Sequence, residues 1–230
     1  LAHRRQRQMC IRDRHRGHGI GRRLWQHALK TLSSVQCIGL EAAVQMVGFY
    51  ERAGFQKDCI TTRRQMLFRS EASLDASPSQ RSDVAVVPLH EVSLEAIQRY
   101  DERHEISPRP HFLELWLRHR AGDVFAARDA EGECHGYVRI RPCLLPIGEG
   151  WRVGPWLAED PGMASLLLNN ALDHHNGVVL IDTPGHNPSA KTILSARGFK
   201  PMTSTVRMYK GVIPKGHDRN VYGLACLELG

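Results

Sequence analysis

The chain has 230 residues, 42% of them apolar and 24% charged, which at roughly 150 residues per domain allows one large or two modest domains. Its longest apolar runs, such as Val178–Ile181, fall far short of the ~18 residues of a membrane span, and Leu1–Arg7 lacks the apolar stretch of a secretory signal, so neither a membrane partner nor export is expected. The formal net charge is +7, but residues 1–30 carry +8 and the remainder −1. The basic character is therefore local, and because this arm has no interleaved aromatics, no nucleic-acid partner is expected.

Six dispersed cysteines, Cys10, Cys37, Cys59, Cys134, Cys143 and Cys226, form no CxxC pair and suit a reducing, cytoplasmic compartment. Thirteen histidines include no HExxH motif, and the neighbours His174 and His175 diverge on a helix, so no metal is expected.

In chain order, residues 1–14 read as a non-native leader, with protein-like sequence beginning near His15. Arg16-Gly17-His18-Gly19-Ile20-Gly21-Arg22-Arg23 follows, and apolar residues at 20, 24, 25, 28 and 29 mark one face of a helix. A glycine-dense turn entering a helix leaves N–H groups unpaired, and the helix dipole with Arg22 and Arg23 favours an anion there. Glycine permits close approach to the backbone, so this stretch is a candidate phosphate cradle, although an ordinary flexible turn has the same composition. A strand is expected within Ser34–Ala42, a helix from Val44 stopped by Gly54, and a strand after it.

Residues 71–82, polar and serine-rich, read as a linker. Beyond them the pattern predicts a strand at Val84–Val87, helices through Leu94–Tyr100 and Phe112–Trp116, and strands at Val124–Arg128, Tyr137–Arg141 and Trp151–Ala158. A helix at Leu166–Leu172, a strand at Val178–Asp182, a helix at Asn187–Arg197 and a final strand at Thr203–Tyr209 complete the list. This order implies an α+β fold with helices on a mixed sheet.

Arg16, Gly19 and Gly21 as R-x-x-G-x-G, followed by Phe49-Tyr50-Glu51-Arg52-Ala53-Gly54-Phe55, resemble the cofactor-binding and fourth-helix motifs of the GNAT superfamily of N-acetyltransferases. The resemblance implies a tandem protein: residues 15–70 as the C-terminal half of an acetyl-CoA-binding domain, and 83–230 as a complete, diverged GNAT-like domain. It implies acetyl transfer from acetyl-CoA to a small-molecule or peptide amine, with Arg16, Gly17, His18, Gly19, Ile20, Gly21, Arg22 and Arg23 on the cofactor and Tyr50 as the acid that protonates the leaving thiolate. The general base would lie in an amino-terminal portion that the chain lacks, so the fragment alone is expected to be inactive. A non-catalytic binding or regulatory module is the alternative.

Gly54-Phe55 and Gly198-Phe199 stand 144 residues apart. That ungapped offset places Asp160, Pro161, Met163 and Ser165 opposite Arg16, Gly17, Gly19 and Gly21, and Leu194 opposite Tyr50. The second unit is accordingly expected to fold by itself without binding coenzyme A.

Overall fold

The computed structural model describes residues 17–68, 83–145, 148–173, 175–213 and 218–227. The leader, Arg16 and the 71–82 linker lie outside the described residues. Helix α1 (Ile20–Thr31) leads to strand β1 (Cys37–Ala43), then through a 3₁₀ turn to α2 (Val47–Arg52) and β2 (Gln56–Phe68). Beyond the linker come β3 (Ala85–Pro88), α3 (Leu94–His104), α4 (Pro110–Leu117), β4 (Asp123–Arg128), β5 (Cys134–Leu145) and β6 (Gly148–Ala158). The chain continues through α5 (Pro161–Leu172), β7 (Gly177–Thr183), α6 (Pro188–Ala196), β8 (Lys200–Gly211) and β9 (Val221–Gly223).

Local chemistry sets several of these bounds. The Ser93 hydroxyl caps α3 by accepting from the Ala96 N–H, which satisfies one of the four orphan donors of a helix start. Asp160 caps α5 by accepting from Met163 N–H at 2.9 Å, with Pro161 in its first turn. That helix therefore starts five residues before the expected Leu166, because a capping Asp followed by Pro is itself a start signal. β9, three residues long, is too short to carry a period and follows the strand expected to be last.

Among the described residues nine strands form one sheet in the order β1-β8-β2-β7-β6-β5-β4-β3, with β9 pairing off this path with β6. The sheet is mixed: β6 and β7 run parallel over Trp151–Val153, and the other pairs are antiparallel. One core, with Trp156, Leu167, Leu168, Ile181 and Leu194, lies between the sheet and helices α5 and α6. A second, with Ile97, Tyr100, Leu113, Tyr137 and Leu157, fills the opposite face under α3 and α4. A third, smaller core joins α1 and α2 to β1 and β8 around Ala42, Val47, Phe55 and Met208. No described helix is long and apolar enough to cross a membrane.

β2, from before the linker, lies between β7 and β8, while β8 lies between β1 and β2. Each segment thus contributes a strand to the other's stretch of sheet. The buried residues of the two larger cores all come from 83–230, while the sheet between β7 and β8 is completed by β2 from the earlier segment. Where β2 meets β7, Asp182, 1% exposed, accepts from Arg63 Nε at 2.7 Å through Oδ1 and from Arg63 Nη2 at 3.0 Å through Oδ2, with Arg152 Nη2 at 3.3 Å from the same Oδ2. A buried carboxylate is tolerated only with such partners, and removing one side of a buried pair costs about 3–5 kcal/mol. Asp182→Ala, which leaves two half-buried guanidinium groups facing each other, is expected to lower the unfolding free energy by that amount in urea denaturation. Arg63→Ala should cost less, since Arg152 remains.

Candidate functional site

α1 begins differently from α3, α5 and α6, each of which has an N-cap side chain accepting from a backbone N–H. Its N-cap is Gly19 at φ 71°, preceded by Gly17 at φ 81°; no side chain caps it and no acidic residue stands in its first turn. The first helical bond runs from Arg23 N–H to Gly19 O at 3.0 Å, so the N–H groups of Ile20, Gly21 and Arg22 have no helical acceptor. Left-handed backbone at 17 and 19 is a conformation that glycine adopts readily. A Cβ built on Gly17, Gly19 or Gly21 meets nothing within 4 Å. Residues 17–24, among them His18, Arg22 and Arg23, are exposed. The result is an open, solvent-facing N–H cradle with two guanidinium side chains on the adjoining turn, electrostatically suited to an anion.

Tyr50 lies on α2 and packs against the same helix. Its ring centroid is 5.5 Å from Trp25 of α1, 5.3 Å from Phe49 and 5.9 Å from Phe55, each edge-on. Phe55, 2% exposed, anchors the group to the sheet, and Trp25 ties the two helices together. Tyr50 is half-buried, and its hydroxyl has no hydrogen-bond partner among the described residues. The structure therefore brings the cradle and Tyr50 onto two helices of one small core, and Arg16 lies outside the described residues.

The second unit repeats this layout with different chemistry. β2 and β8 keep the 144-residue offset, but Pro161 stands at the first helical position of α5 as Ile20 does in α1, so Asp160 corresponds to Gly19 and Gly162 to Gly21. The ungapped offset is three residues out at this helix. The cause lies mainly in the connection Pro184–Asn187 between β7 and α6, which has no counterpart where β1 runs directly into the turn at Val44. Asp160 occupies the helix start that is open in α1, and Gly162, Met163, Ala164 and Ser165 are buried. Leu194, opposite Tyr50, is fully buried. Asn187 caps α6 by accepting from Ala190 N–H and donates to the carbonyls of Arg219 and Val221.

A cavity of about 600 Å³ opens between the two units, on the face of β1, β8 and β2 away from α1 and α2. Glu41 of β1 crosses its floor, its side chain 6% exposed. It accepts from Thr61 Oγ1 at 2.8 Å, Thr205 Oγ1 at 2.6 Å and Arg207 Nε at 2.7 Å, and so links three strands. Burial acts to lower the Arg207 guanidinium, but Glu41 beside it holds it above its ordinary value. Beside that row are Asp58 and Cys59 of β2, with His186 Nε2 2.9 Å from Asp58 Oδ2. None of these residues was singled out from the sequence. They come from β1, β2, β8 and the β7–α6 connection, and no local spacing unites them.

Two family models, each described as an acetyltransferase (GNAT) domain, match residues 97–223 and 2–57. Holothin acyltransferase from Pseudoalteromonas sp. (strain SANK 73390) is 26% identical over 217 residues, covering 94% of this chain and 69% of that protein. Among solved structures, a putative acetyltransferase from Pyrococcus horikoshii superposes with a TM-score of 0.72 at 21% identity, over 96% of this chain and 69% of that one. A tandem GNAT protein from the clavulanic acid biosynthesis pathway superposes at 0.57 and 16% identity, over 90% and 74%. With more than half of its residues inside one family match and a second match ahead of it, this chain belongs to the GNAT acetyltransferase family and carries two such units in tandem.

Proposed function

We propose that the chain is part of an N-acetyltransferase that passes the acetyl group of acetyl-CoA to the amine of a small molecule or peptide, with the coenzyme's pyrophosphate held at the start of α1. The observation that carries this reading is the contrast between the two equivalent helices. α1 presents uncapped N–H groups behind left-handed glycines, and α5 has the carboxylate of Asp160 in the same place. An anion would add favourable interactions at the first and meet like charge at the second.

The reaction requires a neutral amine to attack the thioester carbonyl and the coenzyme to depart as a thiolate. Tyr50, with no polar partner among the described residues and packed against α1, is the group we assign to protonate that thiolate. The general base is assigned to residues ahead of the glycine turn in a longer chain, and the 230-residue chain alone is expected to be inactive. For the second unit, the buried Leu194 in place of Tyr50 and the Asp160 cap favour a non-catalytic, binding or regulatory role.

Calorimetric titration of the chain with acetyl-CoA is expected to give one site. Gly19→Asp, which copies the Asp160 arrangement into α1, should weaken binding by about tenfold or more, and Asp160→Gly should leave the stoichiometry at one. Two sites, or binding indifferent to Gly19→Asp, would move the cofactor elsewhere.

Tyr50→Phe, made in a longer chain that includes the amino-terminal portion, should lower kcat by roughly 10²-fold, the scale of a positioned acid, with coenzyme affinity unchanged. Wild-type turnover in that variant would leave Tyr50 as a packing residue.

A further inference from the structure

We propose that Asp58 and Cys59 of β2, together with His186 of the β7–α6 connection, form a zinc-class divalent metal site that clips the first GNAT unit to the second. The three donor atoms, a carboxylate oxygen, a thiol sulfur and an imidazole nitrogen, all lie within 4.8 Å of one another. Ligand atoms around tetrahedral zinc are about 3.3–3.6 Å apart, given the usual metal–ligand bond lengths. Asp58 Oδ2 and His186 Nε2 are already at 2.9 Å, so closing on an ion needs side-chain movements of about an ångström rather than a new fold.

Two departures from regular structure bring the donors together. β2 pairs Lys57 with Met208 and Ile60 with Val206, so Asp58 and Cys59 both stand opposite Arg207 alone. That is a β-bulge, which re-aims a side chain: successive strand residues ordinarily point to opposite faces, and here both line the same cavity. His186 belongs to Pro184–Asn187, the stretch with no counterpart in the first unit. Its neighbour Gly185 lies so close to β2 that a Cβ there would be 2.7 Å from the Ile60 carbonyl oxygen. A larger residue would push the connection, and His186 with it, away from the bulge.

The donor set selects the ion class. One sulfur, one nitrogen and one oxygen suit zinc over calcium or magnesium, which take oxygen. A thiolate and a carboxylate would neutralise a divalent cation, so the loaded site would add no net charge beside the Glu41–Arg207 pair. The Cys59 thiol is pushed up to about 11 by burial, against a hydrogen bond from the Gly185 backbone that favours the thiolate. The metal would displace the thiol proton, and affinity should therefore rise with pH. His186, with its side chain 39% exposed, offers an entry path, and the fourth position would face the cavity.

Cobalt(II) is the probe. The chelator-treated 230-residue chain, titrated with Co²⁺, is expected to bind one equivalent with a thiolate-to-cobalt charge-transfer band in the near ultraviolet and the visible bands of a tetrahedral ion; added Zn²⁺ should abolish both. Zinc should also raise Tm. Cys59→Ser should lose the charge-transfer band, and His186→Gln and Asp58→Asn should each weaken cobalt binding at least tenfold, the lower limit for disturbing even an outer-shell partner, with circular dichroism confirming that each variant is folded. Absence of the band in the unaltered chain, or an identical band in Cys59→Ser, would overturn the proposal, the second outcome placing the ion on another cysteine. Should Cys59→Ser not fold, unchanged cobalt affinity in the other two variants would overturn it equally.

Discussion

Everything in this molecule depends on a reciprocal exchange of strands. β2 is enclosed by β7 and β8, and β8 by β1 and β2. Backbone hydrogen bonds therefore run without interruption from one unit into the other. Arg63 and Asp182, 119 residues apart in sequence, are joined at the heart of that junction. A slipped register would leave the charges of this buried ion pair unpaired in a desolvated place. The cavity between the units inherits its shape from the same exchange. Its floor is three strands drawn alternately from both units and cross-linked by Glu41.

The two units show how one backbone plan supports opposite chemistry. α1 and α5 start at equivalent points, yet one presents bare N–H groups and the other satisfies them internally. A helix start is a fixed partial positive charge whatever the sequence. The residue at the N-cap decides whether that charge is offered outward or consumed. Glycine at 19 leaves it available, and aspartate at 160 uses it to secure a helix that is largely buried. The same trade recurs at the next helix, where Asn187 spends its side chain on capping α6 and holding the carbonyls of Arg219 and Val221. The second unit has invested in packing what the first leaves exposed.

The order of helices and strands, the glycine turn and the α2 motif were legible in the sequence because each is local: period, caps and turn residues act over a few positions. So was the loss of the glycine turn in the second copy, although its alignment was three residues out. Ungapped comparison cannot register an added connection such as Pro184–Asn187. β9 escaped notice because three residues carry no period, and the start of α5 because the apolar run begins after its cap.

What the sequence determined by itself was the family, the mixed α+β architecture and a glycine turn entering a helix at Gly17–Arg23, since all three rest on short-range patterns. Which strand lies beside which was decided only in three dimensions. Pairing of β2 with β7 and β8 depends on hydrogen bonds and a buried ion pair between residues more than 100 positions apart, and no local preference encodes them. The convergence of Asp58, Cys59 and His186 follows from that pairing, from a bulge that turns two neighbouring side chains to one face, and from a glycine that lets a connection approach a strand. Such a cluster has no spacing in the sequence, because its geometry is a property of the assembled sheet.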